Sequence, residues 1–163
     1  MRLRFTILVF LGMLGVAVAA QRYPLKAIHA FKQRVVEGKN DAYKKQRSQR
    51  TLYHIYLEQQ PNTFITITSV WINGQQYSFD TASVVTPVMI EETLRLPSKK
   101  ETTKLVAATS NKVVRLVQLK PMSTGRKQPS RFQYYELLIA YTVGNKTYYA
   151  GSKFKELQPK LMR

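Results

Sequence analysis

The chain has 163 residues, 44% hydrophobic and 21% charged, with 26 Lys and Arg against 9 Asp and Glu for a net charge of +17. That composition excludes a disordered tail and fits one folded domain. Cysteine is absent and histidine occurs only twice, which excludes disulfide frameworks, thiolate metal sites and cysteine nucleophiles and argues against an all-protein zinc cage.

Met1-Arg2-Leu3-Arg4 is a short positive start, Phe5 to Val18 is an almost unbroken apolar run, and Ala17-Val18-Ala19 is a small-x-small cleavage site. That order predicts a secretory signal peptide over residues 1–20, since the run is shorter than the ~20 residues a membrane span needs. The mature chain is therefore expected outside the cytoplasm, in the periplasm, at the cell surface or secreted. No second apolar run predicts a transmembrane segment.

Residues 21–50 hold nine basic and two acidic side chains, residues 51–90 hold only Glu58 and Asp80, and residues 91–163 hold fifteen basic and five acidic. The stretch without cations is the expected heart of the core. Leu25, Ile28, Phe31 and Val35 recur at helical spacing after Pro24 and before Gly38, predicting one short helix near 24–37. Lys39 to Arg50 then reads as a basic linker.

From Thr51 the pattern becomes strand-like. Thr51 to Glu58 alternates, with Tyr53, Ile55 and Leu57 on one face and His54 on the other. Phe64 to Ile72 and Gln75 to Ser83 flank Asn73-Gly74, the strongest short hairpin signal because both turn positions need positive φ. Its register sets Val70 opposite Tyr77, Thr68 opposite Phe79 and Asp80 opposite Ile67, with Trp71, Ile67 and Ile65 on the other face. Pro87 to Leu94 reads as a strand beginning at an edge. Residues 103–109 and 112–119 around Ser110-Asn111 suggest a hairpin with Leu105 opposite Leu116, and Lys104 and Arg115 outward. Around Gly144-Asn145, residues 132–143 and 146–155 pair Tyr141 with Tyr148, Ile139 with Ala150, Leu137 with Ser152 and Tyr135 with Phe154. A slip of one residue would destroy both faces at once.

About eight short strands joined by turns predict an all-β chain, an antiparallel immunoglobulin-like β-sandwich over 51–163. Trp71-Ile72-Asn73-Gly74, the Thr86-Pro87-Val88 step and the hairpin Lys146-Thr147-Tyr148-Tyr149-Ala150-Gly151-Ser152-Lys153 resemble small exported β-sandwich proteins of Gram-negative bacteria, over roughly Tyr53 to Leu157. The resemblance implies fold and export and carries no site residues.

The sequence holds no phosphate loop and no spacing that favours His29 or His54 as a base. Glu91-Glu92 would point to opposite faces of a strand. Neither a cofactor nor catalysis is indicated. Asp80, expected on the face of Trp71, is the one carboxylate around which an enzyme acting on an envelope polymer can be drawn. The functional signal is the basic excess, which attracts anions and weakens with salt. Its clusters are Lys44, Lys45, Arg47 and Arg50; Lys99, Lys100 and Lys104; and Arg126, Lys127 and Arg131. The expected function is an exported, non-catalytic module that binds an anionic envelope surface or an acidic protein through these loops. Nucleic acid is expected to bind only non-specifically. An accessory subunit that pairs by a sheet edge is the remaining alternative.

Overall fold

The registers set by the two Gly- and Asn-containing turns can be followed residue by residue in the structure, a computed structural model that describes residues 23–37, 50–93 and 100–162. Strands β8 (Leu137–Val143) and β9 (Lys146–Ser152) pair Val143 with Lys146, Tyr141 with Tyr148, Ile139 with Ala150 and Leu137 with Ser152. Strands β3 (Thr66–Ile72) and β4 (Gln75–Val84) pair Ile72 with Gln75 and Val70 with Tyr77 across Asn73 and Gly74, whose φ values are +49° and +84°. Both turns do what their residues permit: small or amide side chains accept positive φ at little steric cost.

Eight strands form one curled sheet in the order β10-β1-β2-β7-β4-β3-β8-β9, with β1 (Leu25–Glu37), β2 (Arg50–Gln59), β7 (Val113–Pro121) and β10 (Lys155–Met162) completing it. Strands β5 (Val88–Thr93) and β6 (Lys100–Val106) form a separate two-stranded sheet. The chain is thus all-β, and among the described residues no helix is long and apolar enough to cross a membrane. It departs from the expected antiparallel immunoglobulin-like sandwich in two ways. The large sheet is mixed, because β10 runs parallel to β1, and it curls until β1 approaches β9. A sheet of this length with the usual twist covers its own apolar face, so no second large sheet is needed.

Ile55, Leu57, Val70, Ile72, Leu116, Leu137, Ile139 and Tyr141 fill the inner face. The outer face is covered twice. The β5–β6 hairpin brings Leu105 and Val106 against Phe31, Tyr56 and Val113. The segment between β7 and β8 covers Trp71, Leu138 and Ala140 with Phe132 and Tyr135. Strands buried on both faces lose simple alternation, which is why β2 is buried without a break from His54 to Gln59.

Several sequence expectations are corrected. Where a helix is expected near 24–37, Leu25–Glu37 form strand β1. A register shift between Leu25 and Ala27 brings Leu25 and Ile28 to the inner core, while Phe31 contributes to the outer one. One bulge in a period-2 strand therefore imitates helical spacing, and two flanking strands supply the backbone partners that fix the choice. The sheet accordingly begins at Leu25 and not at Thr51. The hairpin expected at 103–119 does not form: β6 pairs with β5, and β7 inserts between β2 and β4. Likewise the pairing of β3 with β4 stops at Tyr77, so Asp80 does not pair with Ile67; on the other edge of β4 it pairs with Val117. A shift between Ile67 and Ser69 also moves Ile65 and Ile67 to the face of Val70, away from Trp71. Strand β8 starts at Leu137, and residues 130–132 form a 3-10 turn. The signal-peptide expectation and most of the basic linker lie outside the described residues.

Candidate functional site

Of the ten basic residues singled out by sequence, Lys44, Lys45, Arg47 and Lys99 lie outside the described residues. Lys100 opens β6 and Lys104 is exposed on the same strand, on the small sheet. Arg50 is exposed at the start of β2, opposite Val35. Only Arg126, Lys127 and Arg131 are brought together, in the segment 122–136 that crosses the outer face between β7 and β8. All three are exposed, and among the described residues none forms an ion pair.

This segment lacks strand pairing but is tied down by side chains. The Trp71 indole N–H, itself buried, donates to the Arg126 carbonyl at 2.8 Å, and the Arg126 amide donates to Gln76 Oε1 at 2.6 Å. The amide of buried Gln128 donates to the carbonyls of Phe132 (2.5 Å) and Tyr135 (3.2 Å). Buried polar groups must find partners, and here three side chains take the place of the missing strand ladder. The Tyr135 ring lies over Gly151, where an added Cβ would stand 2.2 Å from it. Glycine is what lets the ring close onto β9.

The cations are interleaved with aromatic rings. The Arg131 guanidinium lies 4.6 Å over the Phe132 ring and 5.3 Å from that of Tyr149, a stacking that holds its charge in place without neutralising it. Tyr134 is 66% exposed yet its ring centre sits 4.2 Å from that of Tyr135. Lys127, Gln133, Tyr134, Glu136 and the Asn73-Gly74 turn surround a cleft of about 610 Å³. Glu136 is the acidic member, and its carboxylate accepts the Phe154 amide at 2.8 Å. That backbone bond, followed by the Lys32 charge, holds its pKa below the usual carboxylate value despite some desolvation.

The densest polar cluster lies elsewhere and is structural. Glu58, buried on β2, accepts from Asn111 Nδ2 at 2.6 Å, Thr109 Oγ1 at 2.8 Å and Lys26 Nζ at 2.9 Å, with His29 Nε2 at 3.6 Å. Burial alone would raise its pKa. The bonds from Asn111, Lys26 and Thr109, with the Lys26 charge, outweigh burial and bring it to about 2. A carboxylate so held is neither an acid nor a base near neutrality. It anchors the turn before β7. His54 is buried on the same strand, its pKa lowered by burial and then by the charges of Arg115 and Lys160. Asp80 is exposed and lines a cleft with Ile67 and Phe79, whereas Trp71 packs on Leu138 and Ala140. The two are not neighbours, because β4 has left β3 before Asp80.

Sequence reasoning found the basic triplet and missed its aromatic setting. It placed Tyr134 and Tyr135 on a strand, and nothing local marks the hold that Trp71 exerts on Arg126 from 55 residues away. No family model, curated protein or solved structure matches the chain.

Proposed function

We propose that the chain is an exported, non-catalytic binding module that takes an anionic component of the cell envelope on segment 122–136. The observation that supports this reading is the triplet Arg126, Lys127 and Arg131, exposed, unpaired among the described residues, and carried on a segment tied to the sheet by Trp71 and Gln76 and closed on itself by Gln128. The Arg131 guanidinium is held by its stacking on Phe132 and Tyr149, and a charge so held loses little freedom on binding, so more of its attraction becomes affinity. The stacked Tyr134 offers a flat apolar surface beside them.

Retention on heparin and on anionic vesicles across a salt series tests the reading. Retention at low salt that fades towards physiological salt is expected. Replacing Arg126, Lys127 and Arg131 together by Ala should cut it about tenfold or more, roughly 1.4 kcal/mol. Absence of retention even at low salt would sink it. An acidic protein as ligand would show the same salt profile with no vesicle binding.

A second reading, an accessory subunit that pairs by a sheet edge, is favoured by the opening between β3 and β4. Past Tyr77 no described strand lies beside β4 on its β3 side. Phe64 and Val85, 88% and 92% exposed, flank that opening in sequence. An extended partner strand would complete it.

A further inference from the structure

The split between β2 and β7 gathers a second group of cations, apart from segment 122–136. These strands pair only from Ile55 to Glu58 against Val113 to Leu116, and beyond that point they part. The cause lies in β7. Ser78 and Asp80 on β4 pair with Lys120 and Val117, so β7 holds one residue more than β4 over this stretch, and Gln118 adopts φ +55°. Such a bulge bends a strand, re-aims its side chains, and is frequent beside functional sites.

The parting leaves a cleft of about 520 Å³ lined by three cations, Arg50, Arg115 and Lys120, and, among the described residues, by no carboxylate. The three come from distant parts of the sequence. Arg115 lies over the Tyr56 ring at 5.8 Å, and its buried Nε has no hydrogen-bond partner among the described residues. An unanswered guanidinium N–H is costly in a dry setting. Among the described residues none of the three cations forms an ion pair. Three like charges around one cleft repel, and an anion seated among them relieves that repulsion while answering the Arg115 donors. Guanidinium forks fit tetrahedral phosphate oxygens in pairs. The rest of the wall includes Tyr53, Tyr77 and Leu119, apolar enough to accept a hydrocarbon continuation of the anion.

We infer that the β2–β7 split binds a phosphate group through Arg115, Arg50 and Lys120, with either free phosphate or a phospholipid head group as its source. The inference does not depend on segment 122–136.

Titrating inorganic phosphate into the full chain, followed by amide chemical shifts, should move Thr51 and Val117 to Lys120 before other residues. Lys120→Gln and Arg50→Gln should each weaken this titration several-fold. Arg115→Gln should do so more strongly, while Lys146→Gln, at the start of β9, should leave it unchanged. Lys120 and Arg50 are exposed, so their variants keep the test open if Arg115→Gln fails to fold. A second titration uses bicelles with and without phosphatidylglycerol. Tighter binding of the same amides to the anionic bicelles than to phosphate assigns the lipid source, and the reverse order assigns free phosphate. If neither probe moves these amides, or if the Lys120 and Arg50 variants titrate like the parent chain, the inference is overturned. Loss of heparin retention in the segment 122–136 variant, with the phosphate shifts intact, would show the two sites to be separate.

Discussion

Glu58 and His54 sit four residues apart on β2, both buried, and they set opposite electrostatic problems. Glu58 is kept charged by three donors, with its pKa moved from 4.5 to about 2. His54 is kept neutral, with its pKa moved below 6.5 by burial and then by Arg115 and Lys160. In both cases the unfolded chain binds a proton more readily than the folded one, so stability is full above about pH 6.5 and falls as pH drops. His54 contributes the first loss, below 6.5. Glu58 contributes the larger one, from about 4.5 down to about 2, worth roughly 3 kcal/mol for that shift. Urea titrations between pH 7 and 3 should show both limbs. Glu58→Gln should lower stability at pH 7 by about 2–3 kcal/mol and flatten the acid limb, because the oxygen shared by Lys26, Thr109 and Asn111 loses its negative charge and Lys26 its ion pair. His54→Asn should flatten only the upper part. The sequence shows Glu58 as one of two acids in a stretch without cations. Its three donors, 32 to 53 residues away, belong to the tertiary structure.

At the scale of elements, tyrosine contacts hold what backbone pairing does not. Between its backbone bonds to Gln76 at Met122 and to Asn73 at Glu136, segment 122–136 belongs to no strand, and its Tyr135 closes onto Gly151 of β9. Gly151→Ala should displace Tyr135 and destabilise the fold by about 1–3 kcal/mol, the usual cost of overfilling a tight contact. Because Tyr134 stacks on Tyr135, the same variant should weaken heparin retention although every cation remains. A thermal melt beside the salt series checks both. The β8–β9 turn and its register were legible because a two-residue loop and an alternating pattern agree. The identity of β1 was not. Its apolar spacing of three, three and four fits a helix, and only the register shift after Leu25 and the neighbours β2 and β10 make it a strand. Bulges hide in the same way in β3 and β7, and each moves side chains to a face that strict alternation denies them.

At the scale of the whole molecule, the large sheet carries a parallel pair of its first and last described strands along one side, curls until β1 approaches β9, and is parted at two places. Pairing β1 with β10 links residues 31–37 to 155–162, a contact no local signal encodes. One parting lies between β3 and β4, whose pairing stops at Tyr77, and the other between β2 and β7, where β7 bulges at Gln118. Amide exchange should report this division. Ile55, Leu57 and Leu116, fully enclosed between paired strands, should exchange only on global unfolding, whereas those amides from Phe79 to Val84 that do not bond β7 should exchange orders of magnitude faster. Equal protection at both places would mean that the opening beside β4 is closed in solution. By itself the sequence determined that the chain is all-β from Thr51 onward, where two turns lie, which faces of β2 and β8 are apolar, and that cations crowd near residue 126. These are properties of neighbours, fixed by turn chemistry and side-chain period. Only the tertiary structure decided that residues 25–37 join the sheet, that β7 lies between β2 and β4, and that Arg50, Arg115 and Lys120 share one cleft. Those outcomes depend on which distant strands satisfy each other's backbone groups, and a period-2 pattern does not distinguish among strands that all carry it.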